Sequence, residues 1–205
     1  EGGTGDASCF CLALLGGAVS SGGVLALVRE GTAIASDAPG WQVRTRARED
    51  GREEAISAGV VIDAAGLAAD TIAAYAGLDV DALKWRQHPC KGDYFKLSPA
   101  QTAARSLSRL IYPVPQQAGL GIHATLDLAG GVRFGPDTAY VDRRDDFEVE
   151  SSKAQEFAAA AARYLPGLEA AALTPDYAGI RPKLAGPGES FRDFVIEECS
   201  DHGAS

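Results

Sequence analysis

Residues 59 to 78, GVVIDAAGLAADTIAAYAGL, constrain the fold more than any other segment. A continuous apolar run leads through a turn of small residues, Ala64, Ala65 and Gly66, into an alanine-rich stretch that ends at Gly77. Continuous apolar runs are typical of strands buried on both faces, and glycine commonly follows the last turn of a helix. The segment therefore predicts a βα unit, as found in α/β domains.

The pattern after residue 89 is different, because short strands dominate it. We therefore predict an α/β portion that leads, at a boundary between residues 78 and 90, into a mostly antiparallel sheet with flanking helices. Before that boundary, the strict alternation of WQVRTRA predicts a surface hairpin. Another helix is predicted over residues 7–21, with its stop at Gly22 and Gly23, and a further one over 151–164. Predicted strands cover 24–28, 41–47, 91–97, 109–114, 120–128, 132–135, 177–184 and 193–197.

Charge and cysteine content narrow the function classes. The net charge of -9 and the pI near 4.8 argue against a nucleic-acid-binding protein, which needs clustered Lys and Arg. The longest apolar segment, Cys9 to Val19, is shorter than the roughly 20 residues of a membrane span. Four cysteines without CxxC spacing indicate thiols in a reducing compartment. His88 and Cys90 have no second ligand pair, so we predict no bound metal.

The hairpin around residues 119–137 carries a candidate general base. With a three-residue loop at 129–131, the register opposes His123 to Asp137 on the polar face. A carboxylate behind an imidazole fixes its tautomer and raises its basicity, which suits a general base. Spacing alone leaves open the alternative of a lone surface histidine with an acid nearby. The core face of this hairpin is predicted to carry Leu126, Leu128, Val132 and Phe134.

Arg181 lies in YAGIRPKL, between a Gly-Ile step and Pro182. The proline fixes the backbone, so the planar guanidinium is presented in one direction, and its fork of donors matches a carboxylate. The alternative is a structural ion pair at the end of a strand, because most arginines in folded domains pair with the protein's own acids.

Two further motifs, CKGDYFKL and RLIYPVP, contain phenols on extended segments. Alternation places Lys91 on one face of the first segment and Tyr94 on the other, while Tyr112 precedes Pro113. Tyrosines on rigid strands can line a pocket with both ring surface and a hydroxyl. The alternative is that they lie at the edge of the core.

Six motifs follow one another in a fixed order: VVIDAAGLAAD, CKGDYFKL, RLIYPVP, GLGIHATLD, FGPD and YAGIRPKL. In this order and spacing they resemble the L-2-hydroxyglutarate dehydrogenase/oxidase branch of the FAD-dependent oxidoreductases, within the D-amino-acid oxidase superfamily. The resemblance implies a partial Rossmann-like FAD-binding domain at residues 1–85. It also implies a substrate domain at 86–197 and the start of a C-terminal FAD segment at 198–205.

The resemblance also implies a reaction and a role for each candidate residue. Such an enzyme oxidises a 2-hydroxy acid, L-2-hydroxyglutarate or one like it, by hydride transfer to FAD. The electron acceptor stays open between oxygen, a quinone and a protein. Arg181 matches the arginine that binds the substrate carboxylate, and His123 is then the candidate that takes the hydroxyl proton. The same resemblance places Ala64, Ala65 and Gly66 against FAD, and Lys91, Tyr94 and Tyr112 around the substrate.

The sequence departs from the family pattern at both ends. The GxGxxG fingerprint is absent, and so is the glycine-rich C-terminal segment that closes over the flavin. We therefore expect a fragment that binds FAD poorly and is inactive by itself. Two alternatives stay open: an amine or amino-acid oxidase of the same superfamily, and a non-catalytic fragment with an anion pocket at Arg181. We expect a cytoplasmic protein. Members of the family can bind the surface of the inner membrane, but this sequence contains no basic amphipathic helix that would support such binding.

Overall fold

A computed structural model of the chain describes residues 5–98, 107–114 and 121–199. Its contacts divide into two compact units, which we name after their sheets. The five-stranded unit comprises Glu1–Gly17 and Pro89–Arg181, and the three-stranded unit comprises Ala18–His88 and Pro182–Ser205. Helices and antiparallel strands are mixed along the chain, so the predicted α/β and α+β class is confirmed.

The three-stranded unit is built on an antiparallel meander, with strand order β1-β2-β3. The alternation predicted for WQVRTRA is confirmed in β2, which pairs with both neighbours. The helix α2 follows a 3-10 turn at Gly66–Ala68, and its Ile72 side chain reaches the β1 backbone at Gly31. The elements are β1 (Arg29–Asp37), β2 (Gly40–Ala47), β3 (Glu53–Ala58) and α2 (Ala69–Tyr75).

Three predicted strands of this unit are wrong. Residues 24–28, 59–63 and 193–197 are not strands, and no described strand pairs with them. Their apolar side chains are exposed, as shown by Val60 at 75% and Ile62 at 84%. A strand is defined by hydrogen bonds to a neighbour, so an apolar sequence without a paired neighbour stays irregular. The predicted βα unit is therefore present only in its turn and helix.

The helices agree better with prediction. α1 (Ala7–Ser20) ends at the predicted glycines, where the Gly23 amide donates to Ala18 O at 2.9 Å. α1 has no buried residue. α3 (Ala154–Ala161), preceded by a 3-10 turn at Ser151–Lys153, is shorter than the predicted 151–164. Within the described ranges, the helices fall short of the length and hydrophobicity that a bilayer crossing requires.

The five-stranded unit is centred on β4, which pairs antiparallel with β6 and β7 and also pairs with β8. β5 continues the sheet beyond β6. Phe95 of β4 and Phe134 of β6 are fully buried, and the Phe157 ring of α3 lies 4.6 Å from that of Phe95. This face therefore forms the core. The strands are β4 (His88–Leu97), β5 (His123–Leu126), β6 (Val132–Gly135), β7 (Ala139–Tyr140) and β8 (Leu173–Lys183).

Two other strand predictions need correction. The strand predicted at 109–114 is reduced to a single bridge between Ile111 and Ala124. The strand predicted at 120–128 covers only β5, and residue 120 lies outside the described residues. Leu128, predicted for the core, is 72% exposed because the chain has already turned there.

The register of the β5–β6 hairpin also differs from the prediction. Leu126 pairs with Val132 and His123 pairs with Gly135, a slip of two residues. The turn is longer than predicted because Asp127 organises it: its carboxylate accepts hydrogen bonds from the amides of Ala129 at 3.0 Å and Gly131 at 2.7 Å. A slip of two keeps the side chains within β5 and β6 on their predicted faces, since the side-chain period of a strand is two.

Candidate active site

The face of the five-stranded sheet opposite the core carries the candidate substrate-binding residues other than Lys91. On β4 the buried Phe95 and Leu97 alternate with the half-buried Tyr94 and Lys96. On β5 the buried Ala124 joins the core cluster, so His123 faces the other way. We call this second surface the open face.

His123 lies at the centre of a tightly packed part of the open face. It is 7% exposed, and its ring centroid lies 4.4 Å from that of Tyr112 at an angle of 58°. Its strand partner Gly135 has φ 142°, and a methyl group there would lie 2.7 Å from the Tyr94 ring. Only glycine leaves room for that approach. The structure thus brings together His123, Tyr112 and Tyr94.

The predicted pairing of His123 with Asp137 is wrong. His123 stands opposite Gly135, two residues before Asp137. The Asp137 carboxylate is instead held by the Asp93 amide at 2.7 Å and by Lys153 Nζ at 2.9 Å. The cause is the longer turn at Asp127, which moves the register by two residues and leaves Asp137 beyond the hairpin.

Tyr177 and Arg133 belong to the open face but were not among the predicted site residues. The Tyr94 and Tyr177 rings stack with centroids 4.6 Å apart and planes 14° apart. The Arg133 guanidinium lies 5.7 Å from the Tyr177 ring centre and is paired with Asp176. Burial, and then the neighbouring Tyr177, raise the pKa of the Tyr94 phenol. The alternation of Tyr177 with Gly179 and Arg181 was the available sequence signal.

Arg181 is exposed and lies on β8, four residues after Tyr177. Even spacing along a strand puts both side chains on one face, and Tyr177 stacks on Tyr94, so Arg181 shares the open face with His123. In the described part of the chain, Arg181 makes no ion pair, and the alternative of a structural ion pair finds no partner there.

Lys91 lies on the other side of the sheet. It is 5% exposed, on the core face with Asp93. Its ammonium donates to Glu148 O and lies 3.3 Å from Asp146 Oδ1 and 3.8 Å from Asp93 Oδ1. The alternation in CKGDYFKL already separated Lys91 from Tyr94. The predicted contact of Lys91 with substrate is therefore contradicted by its burial and its partners.

The small-residue turn lies in the three-stranded unit. Asp63 Oδ1 accepts a hydrogen bond from the Ala65 amide at 3.0 Å, and Gln87 Nε2 donates to Gly66 O at 2.9 Å. Gly66 has φ 57°, and a methyl group built there would meet no atom within 4 Å. Ala64 and Ala65 also line a hollow of about 410 Å³ between the meander and α2. The turn thus presents open backbone without side chains in the way.

Comparison with known proteins decides the family. The profile of the "FAD dependent oxidoreductase" family, DAO, matches residues 1–203. The chain belongs to this family. Two relatives of this chain are both named L-2-hydroxyglutarate dehydrogenase. A mitochondrial L-2-hydroxyglutarate dehydrogenase of Arabidopsis thaliana is 38% identical over 154 residues, which are 70% of this chain and 31% of that protein.

A second relative, the L-2-hydroxyglutarate dehydrogenase of Escherichia coli K12, is 32% identical over 104 residues, which are 50% of this chain and 23% of that protein. This DAO chain thus spans about a third, or less, of the length of these relatives. Solved structures agree in fold. A glycine oxidase from Geobacillus kaustophilus matches with TM-score 0.62 and 22% identity, over 84% of this chain and 41% of that one.

An L-alpha-glycerophosphate oxidase from Mycoplasma pneumoniae, crystallised with FAD, matches with TM-score 0.61 and 23% identity, over 76% of this chain and 38% of that one. The turn at Ala64, Ala65 and Gly66 fits the flavin nucleotide expected in this family. Its open backbone at Gly66 allows the close approach that a larger side chain would prevent.

Proposed function

We propose that the protein oxidises a 2-hydroxy acid, L-2-hydroxyglutarate or a close analogue, to the 2-oxo acid. Bound FAD supplies the hydride acceptor. The observation that carries the proposal is the open face, where the exposed Arg181 and the buried His123 lie on one side of one sheet. The family and the names of the relatives support the substrate class.

Arg181 binds the substrate carboxylate in this proposal. A guanidinium and a carboxylate form two parallel charge-assisted hydrogen bonds, which orient the acid as well as hold it. In an acidic chain of net charge -9, a local cation that has no acid partner among the described residues also attracts an anionic substrate. Removing Arg181 should therefore act mainly on substrate affinity.

His123 takes the proton of the substrate hydroxyl. Loss of that proton must accompany loss of the hydride, because a 2-oxo acid carries neither, and a neutral imidazole nitrogen accepts it. The Tyr112 ring packs against His123 and Tyr94 lies beside its strand partner, so the imidazole is held on a rigid face. Tyr94 and Tyr112 line the site, and the turn at Ala64, Ala65 and Gly66 contacts FAD.

Steady-state kinetics of the full-length protein test these roles. With 2-hydroxyglutarate and a dye acceptor, Arg181→Met should lower kcat/KM roughly 100-fold, mostly through KM. His123→Asn should lower kcat roughly 100-fold or more. Arg163→Met is the matched control, since Arg163 is exposed and has no ion pair in the described part of the chain. An unchanged KM in Arg181→Met would contradict the carboxylate role.

A substrate panel separates the competing functions. Glycine, sarcosine and D-amino acids should be poorer substrates than 2-hydroxyglutarate, and the reverse order would identify an amine or amino-acid oxidase. A full-length protein purified without flavin, and unable to take it up, would instead identify a non-catalytic anion-binding protein. Repeating the assay with oxygen and with a quinone identifies the electron acceptor, and cell fractionation tests the predicted cytoplasmic location.

A further inference from the structure

A buried ion network lies directly behind the open face. The Asp93 side chain on β4 is fully buried, and Lys153 Nζ donates to Asp93 Oδ2 at 2.5 Å and to Asp137 Oδ2 at 2.9 Å. Burial opposes the charge of the ammonium, but its hydrogen bonds to the two carboxylates outweigh this and raise the pKa of Lys153. One cation thus holds two acids that are 44 residues apart in sequence.

The two acids belong to backbone segments that are pressed against each other. A methyl group at Gly92 would lie 2.6 Å from Pro136 Cβ, and one at Gly135 would lie 2.6 Å from Asp93 O. The Asp93 amide also donates to Asp137 Oδ1 at 2.7 Å. The position of Gly135 relative to β4 is therefore fixed by contact on one side and by the ion network on the other.

Gly135 of β6 is the strand partner of His123 of β5. An interaction that fixes the position of β6 therefore also fixes the position of His123. We propose that Lys153 is a positioning residue, which clamps Asp137 to Asp93 and thereby holds His123 against the Tyr94 side of the open face. This inference rests on the proposed function of His123 as proton acceptor. It concerns kcat, because Arg181 lies on β8 and forms no ion pair with Lys153, Asp93 or Asp137 in the described structure.

The alternative is that the network only stabilises the fold. Buried ion pairs are weak evidence for stability, since apolar residues of similar volume often serve as well. Here the network is also incompletely satisfied: Asp93 Oδ1 is buried and accepts no hydrogen bond from the described residues, and the Lys91 ammonium is 3.8 Å away. The network leaves one carboxylate oxygen without a hydrogen bond, yet it joins the backbone segments next to the proposed general base. This combination favours a role in positioning over a role in stability alone.

The test uses the full-length flavoprotein and three variants at this clamp. Lys153→Met removes the ammonium, and Lys153→Arg keeps a cation whose fork can bridge two carboxylates. The double variant Lys153→Met with Asp93→Asn removes the charges of Lys153 and Asp93, so that the fully buried carboxylate is not left without its cation if the single variant fails to fold. Asp137 keeps the hydrogen bond from the Asp93 amide. Arg163→Met, ten residues further along, is the matched control cation.

With 2-hydroxyglutarate as substrate, we expect the Met variant and the double variant to lose roughly 10- to 100-fold in kcat with KM changed less than about 3-fold. Lys153→Arg should recover kcat to within about 3-fold, and flavin content should stay that of the wild type. Wild-type kcat in the folded double variant would overturn the proposal. So would a change confined to KM.

Crystal structures of the wild type and the double variant give a readout that does not depend on the substrate. The Tyr112 and His123 ring centroids, 4.4 Å apart, should separate or slide by more than about 1 Å without the clamp. If the wild type does not oxidise 2-hydroxy acids, the proposed function fails. The positioning role then stands or falls on this distance, and an unchanged ring pair overturns it.

Discussion

The two units of the chain differ in how far their large apolar side chains are exposed to solvent. In the five-stranded unit, Phe95, Phe134 and Phe157 are fully buried between the sheet and α3. In the three-stranded unit, Val24 is 93% exposed and Ile196 is 92% exposed. Both units contain apolar side chains, so residue type alone does not explain the difference. The five-stranded unit has a paired sheet with a helix across it, whereas the apolar segments of the other unit have no paired neighbour among the described residues.

This difference shows which part of the proposed site is positioned by packing within this chain. A closed core fixes the open face on its far side, so the placement of His123, Tyr94 and Tyr177 follows from packing. Exposed apolar segments such as 24–28 and 191–196 instead form a surface that favours contact with further apolar groups in water. The open face is therefore the better-determined half of the proposed site.

The largest expected effect is on the core. Phe134→Ala should lower the free energy of unfolding of the 205-residue chain by about 4 kcal/mol, because it leaves a cavity beside Phe95 and α3. Phe194→Ala is the matched change in the other unit and should cost less than about 0.5 kcal/mol, since Phe194 is 89% exposed. Urea titration followed by circular dichroism measures both. Equal costs would mean that the exposed segment is covered.

An intermediate effect is expected at alkaline pH. The Tyr164 hydroxyl donates to Ile122 O at 2.9 Å, and burial raises the pKa of this phenol to about 12. Its stabilising contribution is thus complete below the unfolded pKa of about 10 and is lost as the pH rises from 10 through 12. Tyr164→Phe should cost about 1 kcal/mol at neutral pH and flatten that loss.

Tyr75→Phe, in the three-stranded unit, is the control for this experiment, because Tyr75 is 39% exposed. Thermal melts between pH 8 and pH 12 give the comparison. A wild-type alkaline slope in Tyr164→Phe would show that another group causes the loss of stability in this range.

The smallest effects should have opposite signs in the two units. The hydrogen bond from the Gly131 amide lowers the pKa of Asp127 in the folded chain. The ionised Asp127 therefore stabilises the fold at pH values above its pKa in the unfolded chain, and this stabilisation is lost as the pH falls through its folded pKa. Burial raises the pKa of Asp63, so ionisation of that acid weakens the fold as the pH rises above its unfolded pKa. At neutral pH, Asp127→Asn should lower Tm, and Asp63→Asn should raise it slightly.

Melting curves at pH 3 and pH 7 check this pair. At pH 3 the two Asn variants should differ less from the wild type, since both acids are then largely protonated in the unfolded chain. The same sign for both variants at pH 7 would contradict the assigned causes of the pKa shifts.

Several features of the fold were predictable because they depend on local pattern. The β2 hairpin follows from strict alternation before a turn, and α1 ends where Gly22 and Gly23 place its stop. The three strands predicted at 24–28, 59–63 and 193–197 fail for the converse reason. An apolar run states only that its residues avoid water, and a strand also needs a neighbour that pairs with it.

The candidate site divides in the same way. Alternation placed Tyr94 and Lys91 on opposite faces, and the structure keeps them there. The partner of Asp137 was not predictable. Because one turn is two residues longer than expected, Asp137 pairs with Lys153 and not with His123. The stacking of Tyr94 on Tyr177, 83 residues apart by number, likewise has no local signal.

The sequence by itself determined which side chains share a face, where turns fall and which family the motifs resemble, because side-chain period and turn chemistry act over a few residues. Only the tertiary structure decided the partners. Register, the clamp at Lys153 and the burial of Asp93 depend on contacts between residues 16 to 60 positions apart. Such contacts form only when the whole sheet packs, so no local pattern encodes them.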